Sequence, residues 1–163
     1  VSGFTVTLDD RELQDALNQL AARVEDLTPV MDALGQVLVT RSDLSFRREE
    51  TPWGQRWTPL SEVTLERRRG TSAQILRDTG RLAASITARA SRTQVQVGTN
   101  VVYAAVHQFG NPLNQFYNTP RGARAPIPAR PFLPIRGGAV DLPAEDREAM
   151  LDIVRRALDQ AVS

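Results

Sequence analysis

Residues 86–98, ITARASRTQVQVG, decide the fold class. Ile86, Ala88 and Ala90 alternate with Thr87 and Arg89, and Val95 and Val97 alternate with Gln94 and Gln96. A period of two places one set of side chains on one face of a pleated strand and the other set on the opposite face. Ser91-Arg92-Thr93 supplies turn residues between the two runs. The spacing therefore predicts a β-hairpin with a three-residue loop, ended by Gly98.

Upstream, Phe4, Val6 and Leu8 alternate with Thr5 and Thr7, which predicts a short half-buried strand. The pattern then turns helical. Asp9 is placed to cap a helix, with Glu12 three residues on in capping-box position, and Leu13, Leu17, Leu20, Val24 and Leu27 follow at helical spacing. Thr28-Pro29 reads as a cap and first-turn proline for a second helix, whose stripe is Val30, Leu34, Val37, Leu38 and Leu44. Antiparallel packing of these two helices uses both stripes. Periodicity breaks over residues 47–60. Ser61 is placed to cap a short polar helix through Arg69, and Asp78 or Thr79 to cap another that carries Leu82.

Downstream of the hairpin, residues 99–109 suit a short helix bearing Val102, Tyr103, Val106 and Phe109. Six of the ten prolines then fall within residues 110–138, which excludes a regular helix or a central strand there. This is read as an extended Pro-rich arm, with Phe132-Leu133 and Ile135 as its one strand-like part, at a sheet edge. Asp141 opens a last helix with Pro143 in its first turn and an apolar face of Met150, Ile153, Val154, Ala157 and Ala161. The expectation is α+β: a small antiparallel sheet packed against helices, a long Pro-rich arm and a C-terminal helix, in one domain over residues 1–163.

At 163 residues the chain is long enough to hold a core without staples, and it has no cysteine for disulfides or thiolate metal sites. No stretch has the roughly 18 consecutive apolar residues of a membrane span, and no secretory h-region opens the sequence, so a soluble, intracellular protein is expected. All 20 basic residues are arginine. Between Asp78 and Asp141 there are seven arginines and no acid, so a basic middle lies between acidic ends. That pattern fits nucleic acid or an oppositely charged protein neighbour; arginine without lysine also follows from a biased genomic composition.

Residues that carry chemistry are scarce. His107 is the one histidine, with no acidic residue within 28 positions, and reads as a hydrogen-bonded structural residue. No phosphate loop, nucleophile elbow or zinc-protease motif occurs. Glu49 and Glu50 abut Arg47 and Arg48 and read as a solvated charge run, whereas Glu145 and Asp146 suit the start of the last helix. Trp53 and Trp57 suit a core edge or interface better than a stacking platform. No catalytic, cofactor or metal residue is assigned. Phe116, Tyr117, Arg121, Arg124 and Arg130 mix aromatics with charge on the arm and are the candidate partner contacts.

Four blocks resemble the phage virion morphogenesis family, the tail-completion proteins of Mu-like and related contractile-tailed bacteriophages. They are Pro52 to Ser61 with Trp57-x-Pro59-Leu60-Ser61 and Thr64 after it; Ile75 to Leu82 with Gly80, followed by Ser85-Ile86; Val97-Gly98-Thr99 with Tyr103-Ala104 and His107-Gln108-Phe109-Gly110; and Ile127 to Leu133 with Pro131-Phe132. They run in consistent order over residues 52–133. Trp53 stands where the family often has a polar residue, and Asn111-Pro112 where a second glycine often follows. The resemblance implies a structural virion protein of the tail or neck, assembled in the host cytoplasm, with no catalysis, no cofactor and no membrane. It implies a ring of identical copies that completes the tail and meets tail-tube and neck or connector proteins. Genomic DNA would pass through that ring without specific recognition. It also makes Trp57, Pro59, Gly80, Leu82, Gly98, Tyr103, His107, Gln108, Gly110, Pro131 and Phe132 structural. A nucleic-acid-binding module using residues 79–140, and a minor capsid or connector protein, are the alternatives.

Overall fold

The computed structural model describes residues 10–68, 73–111 and 126–162. In chain order the elements are α1 (Arg11–Ala21), α2 (Thr28–Arg48), α3 (Glu62–Glu66), α4 (Arg81–Ala84), β1 (Thr87–Ala90), β2 (Val95–Gly98), α5 (Ala104–Phe109), β3 (Ile135–Arg136), β4 (Ala139–Val140) and α6 (Ala144–Val162). The class is α+β, with each pair of strands forming its own antiparallel ladder. The strand expected at Phe4, Val6 and Leu8 lies outside the described residues.

The longest helix, α2, is the spine. Its N-terminal half puts Met31 and Leu34 into one core with Leu13, Leu20, Met150, Leu151 and Val154. Its C-terminal end puts Phe46 into a second core with Trp57, Leu82, Ile86, Phe132 and Leu133. The β1–β2 hairpin lies along α2 between them. It comes so close that a Cβ at Gly35 would stand 2.7 Å from Val95 Cγ2 and 2.8 Å from Ala88 Cβ. Only glycine leaves that space.

Several boundaries differ from expectation, each for a local reason. The cap of α1 is Asp10, whose Oδ1 accepts from the Leu13 amide at 3.0 Å. Glu12 reaches across to Arg147 and Arg155 on α6 rather than back to its own helix. Thr28 is the first residue of α2 rather than its cap, because Asp26 accepts from both its amide and its hydroxyl. Gly80, at φ 72°, is the N-cap of α4, and Thr79 only receives the Arg81 amide. Ala90 pairs with Val95, so the hairpin loop is four residues, closed by the Ser91 amide on the Gln94 carbonyl. Ser61 does cap α3, accepting from the Thr64 amide.

The two N-terminal helices do not pack chiefly on each other. Both dock on α6, whose buried Met150, Leu151 and Val154 are broad enough to serve both, while Ala161 is exposed near its end. Val102 precedes α5 and is exposed instead of lying on an apolar helical face. Phe132 and Leu133 are buried but unladdered; the ladder begins at Ile135, paired with Val140.

Glu145 and Asp146 do more than suit a helix start. Asp146 accepts from Arg41 Nε and Nη2 at 2.7 Å each, a two-pronged pair buried between α2 and α6, and Glu145 binds the same guanidinium. Breaking a buried pair strands a charge, whereas replacing both partners removes the problem. Asp146→Ala should therefore cost about 3–5 kcal/mol in urea unfolding, and Arg41→Met with Asp146→Leu should recover most of it. A single-variant loss below about 1 kcal/mol, the range of surface pairs, would show the pair to be dispensable.

Candidate functional site: the foot of the arm

Several of the motif residues converge on one place, where the chain leaves at Asn111 and returns at Pro126. Asn111 and Ile127 exchange backbone hydrogen bonds of 2.8 and 3.0 Å, an isolated antiparallel bridge that pins the two ends together. Residues 112–125 between them lie outside the described residues, so the placement of Phe116, Tyr117, Arg121 and Arg124 is not part of this geometry.

The returning segment is buried at Arg130 and again from Phe132 to Pro134, although its prolines bar it from a ladder there. Side chains take the place of a neighbouring strand. Gln108 is buried on α5; its Oε1 accepts from the Phe132 and Leu133 amides at 3.0 Å each, and its Nε2 donates to the Leu133 carbonyl at 3.0 Å. Ser42 donates to the Phe132 carbonyl at 2.7 Å. Trp57 Nε1 donates to the Pro131 carbonyl at 2.9 Å, and its ring meets Phe46 edge-on, while Phe46 also packs on Phe132.

Arg130, expected on the arm as a partner contact, is only 6% exposed. Its amide donates to the His107 carbonyl, Nε to the Thr58 carbonyl at 2.9 Å and Nη2 to the Pro59 carbonyl at 3.1 Å. The forked guanidinium thus ties the Trp57–Pro59 turn to the returning segment, a task a lysine point charge performs poorly. Among the described residues it has no ion-pair partner, and burial draws its pKa down from the ordinary arginine value, with Arg68 adding to the effect. Gly110 completes the foot at φ 76°; a Cβ there would lie 2.8 Å from the Ala129 nitrogen.

His107 carries Tyr103 edge-on at 5.8 Å. At its ring, Nδ1 is buried and, among the described residues, has no partner, as is also true of Asn111 Nδ2. Of the other motif positions, Leu82 is in the core, Gly98 ends β2 and Gly80 supplies the left-handed turn. Trp53 sits outside the foot, its indole donating to the Asp141 carbonyl at 3.0 Å with Arg136 stacked 3.9 Å above the ring. Glu49 likewise is no free surface charge, since it holds the Ile75 amide at 2.7 Å from a left-handed backbone of φ 57°.

Among the described residues no three His, Cys, Asp or Glu side chains are grouped to hold a metal, and no helix is long and apolar enough to cross a membrane. What this arrangement accomplishes is mechanical: it fixes the base from which a 14-residue segment leaves and returns.

The comparisons with known proteins agree. The chain belongs to the phage virion morphogenesis family, whose profile matches residues 8–159. It is 33% identical over 123 residues to the Mu-like prophage FluMu G protein 2 of Haemophilus influenzae, covering 76% of this chain and 77% of that one. It is 27% identical over 165 residues to the putative capsid assembly protein G of Escherichia phage Mu, covering 98% and 96%. No solved structure matches. The protein is thus a virion-associated structural or assembly protein of a bacteriophage.

Burial, with the charge of Arg130 as a smaller cause, holds the His107 imidazole below its usual 6.5. The folded protein then binds this proton less readily than the unfolded chain. The sign follows: stability is complete above pH 6.5 and falls as pH drops below it, until the folded value is passed. Melting followed at pH 7 and pH 5 should show a larger loss in the native protein than in His107→Gln. Equal losses in both would show that the histidine does not contribute in this window.

Proposed function

We propose that this protein completes the phage tail and joins it to the head or neck, as a homo-oligomeric ring. The observation that carries the reading is the foot of the arm. The side chains and turns of the motif blocks, from Trp57 to Phe132, are largely spent on fixing the base of residues 112–125 and the core beneath it, not on forming a ligand site. A segment with Phe116, Tyr117, Arg121 and Arg124, presented from a rigid base, suits docking on a neighbour. A ring needs unlike surfaces on one subunit, and the acid-free middle with acidic ends supplies unlike charge. Its partners in this reading are other copies, the tail tube and a neck or connector protein, with the genome passing through unrecognised.

Two other readings have an observation each. The name of the phage Mu relative, a putative capsid assembly protein, favours a minor capsid or connector position. A groove of about 410 Å3 beside Trp53, lined by Arg56 and Arg136, is the feature that favours nucleic acid. Burial of Trp57 and Arg130 weakens that second reading, because it removes two of the groups a stacking and charge surface needs.

Deleting residues 112–125 and joining Asn111 to Pro126 through a short glycine linker should leave a folded protein with nearly unchanged melting. Electron microscopy of particles assembled with it should show heads and tails unjoined. Normal particles would rule out the arm as the joining element, and failure to fold would make it part of the core. The reading also requires that the purified protein show no hydrolase or nuclease turnover and hold no stoichiometric zinc by elemental analysis. Turnover that disappears in His107→Ala would overturn it.

A further inference from the structure

Two apolar features of this chain have nothing over them among the described residues, and they are complementary. The first is α3. All five of its residues are exposed, among them Val63 at 53%. Leu60, half-buried on the second core, precedes the cap residue Ser61, and Leu65 occupies the position that pairs with such a residue across a helix start. Val63, two residues before Leu65, lies about 200° around the helix from it. Glu66 lies one turn further along the same side as Val63.

The second feature is a cavity of about 80 Å3 beside the start of α5, lined chiefly by Val97, Val101, Val102, Ala104, Ala105 and Leu133. Val102 at its rim is 83% exposed, the most of any large apolar side chain among the described residues. An apolar cavity of roughly 150 Å3 admits a benzene ring, so this one suits a single small branched side chain. All of its lining comes from residues 97–133, inside the stretch 79–140 that contains arginines and no carboxylate. The helix that carries Val63 has the opposite character, with Glu62 and Glu66 on either side of it.

We infer that Val63 of one copy seats in the Val97–Leu133 cavity of the next, as the repeating contact between subunits. The inference rests on the ring reading and gives it a specific interface. It is head-to-tail, since a knob and a hole on one chain cannot satisfy each other across a two-fold axis unless both are used at once; repeated in one direction they generate a ring or a helix. An apolar knob between carboxylates, set into a largely apolar hole that no carboxylate lines, meets no like charge from that lining.

Because the chain has no cysteine, single substitutions report the contact directly. Val63→Cys protein and Val102→Cys protein, distinguished by a size tag, are co-assembled into particles, oxidised and separated without reducing agent. The expected product is a mixed dimer joining one copy of each variant, with little of either like-with-like dimer. Like-with-like dimers would overturn the inference in favour of a two-fold contact. Assembled rings with no cross-link would overturn it while leaving the ring reading intact, and absence of any ring in joined particles would overturn both. As a second measurement, Val63→Asp should leave the melting temperature unchanged, since the residue is exposed in the single chain, but abolish incorporation into particles. Normal incorporation of that variant would equally overturn the contact.

Discussion

A proline-rich strand-length segment that must be buried has backbone groups with no ladder to join, and much of this structure is a response to that constraint. An unpaired buried amide or carbonyl costs about 1–3 kcal/mol. The amides from Arg130 on and the carbonyls from Pro131 to Leu133 are met by side chains or by isolated backbone contacts: Gln108 takes two amides and a carbonyl, Ser42 another carbonyl and Trp57 a third. The amide of Arg130 finds the His107 carbonyl. These donors and acceptors come from α2, the turn at residues 51–59 and α5, so satisfying one segment fixes three others around it. The same contacts hold Phe132 against Phe46, and the second core forms there.

Charge is handled in two ways in the two halves. On the α1–α2–α6 side, arginines meet carboxylates: Arg41 with Asp146, and Arg147 with Asp10 and Glu12. The Arg147 guanidinium and the Leu13 amide hold Asp10 below its usual carboxylate range, the amide being the larger cause. At the foot of the arm the sequence offers no acid, and Arg130 is solvated instead by the Thr58 and Pro59 carbonyls. A buried cation held by dipoles keeps its geometric role without drawing a carboxylate into the basic middle.

The elements with a strong period were legible in the sequence. The hairpin at residues 86–98, the stripe of α2 and the last helix all follow from spacing, because a half-buried strand or helix repeats its exposure. The boundaries were less so: Asp10 and Gly80 act as caps, and Asp26 holds Thr28, where a neighbouring residue looked equally able. What was hidden was tertiary. Nothing in the spacing of Arg41 and Asp146, 105 residues apart, tells that they meet, and the helix-start reading of Asp146 was locally sufficient. The docking of α1 and α2 on α6 rather than on each other is a choice of partner among apolar faces, which periodicity does not rank. At the foot, the blocks that carry the family resemblance were visible as blocks, but their mutual contact was not. Arg130 looked like a surface arginine because its partners are carbonyls, which every residue has. The indole donors of Trp53 and Trp57 were open to the same ambiguity.

The sharing of α2 between the two cores bears on cooperativity. Domains with separate cores open as separate units, and their parts exchange amide protons with separate free energies. Here Met31 and Leu34 lie in one core and Phe46 in the other on a single helix, with Gly35 holding the hairpin against the stretch between. Fraying α2 from either end removes the floor of a core, and the glycine contact leaves no slack through which the hairpin can stay behind. Opening of the foot and opening of the helical side are therefore coupled events, so a load placed on the foot is shared by both cores.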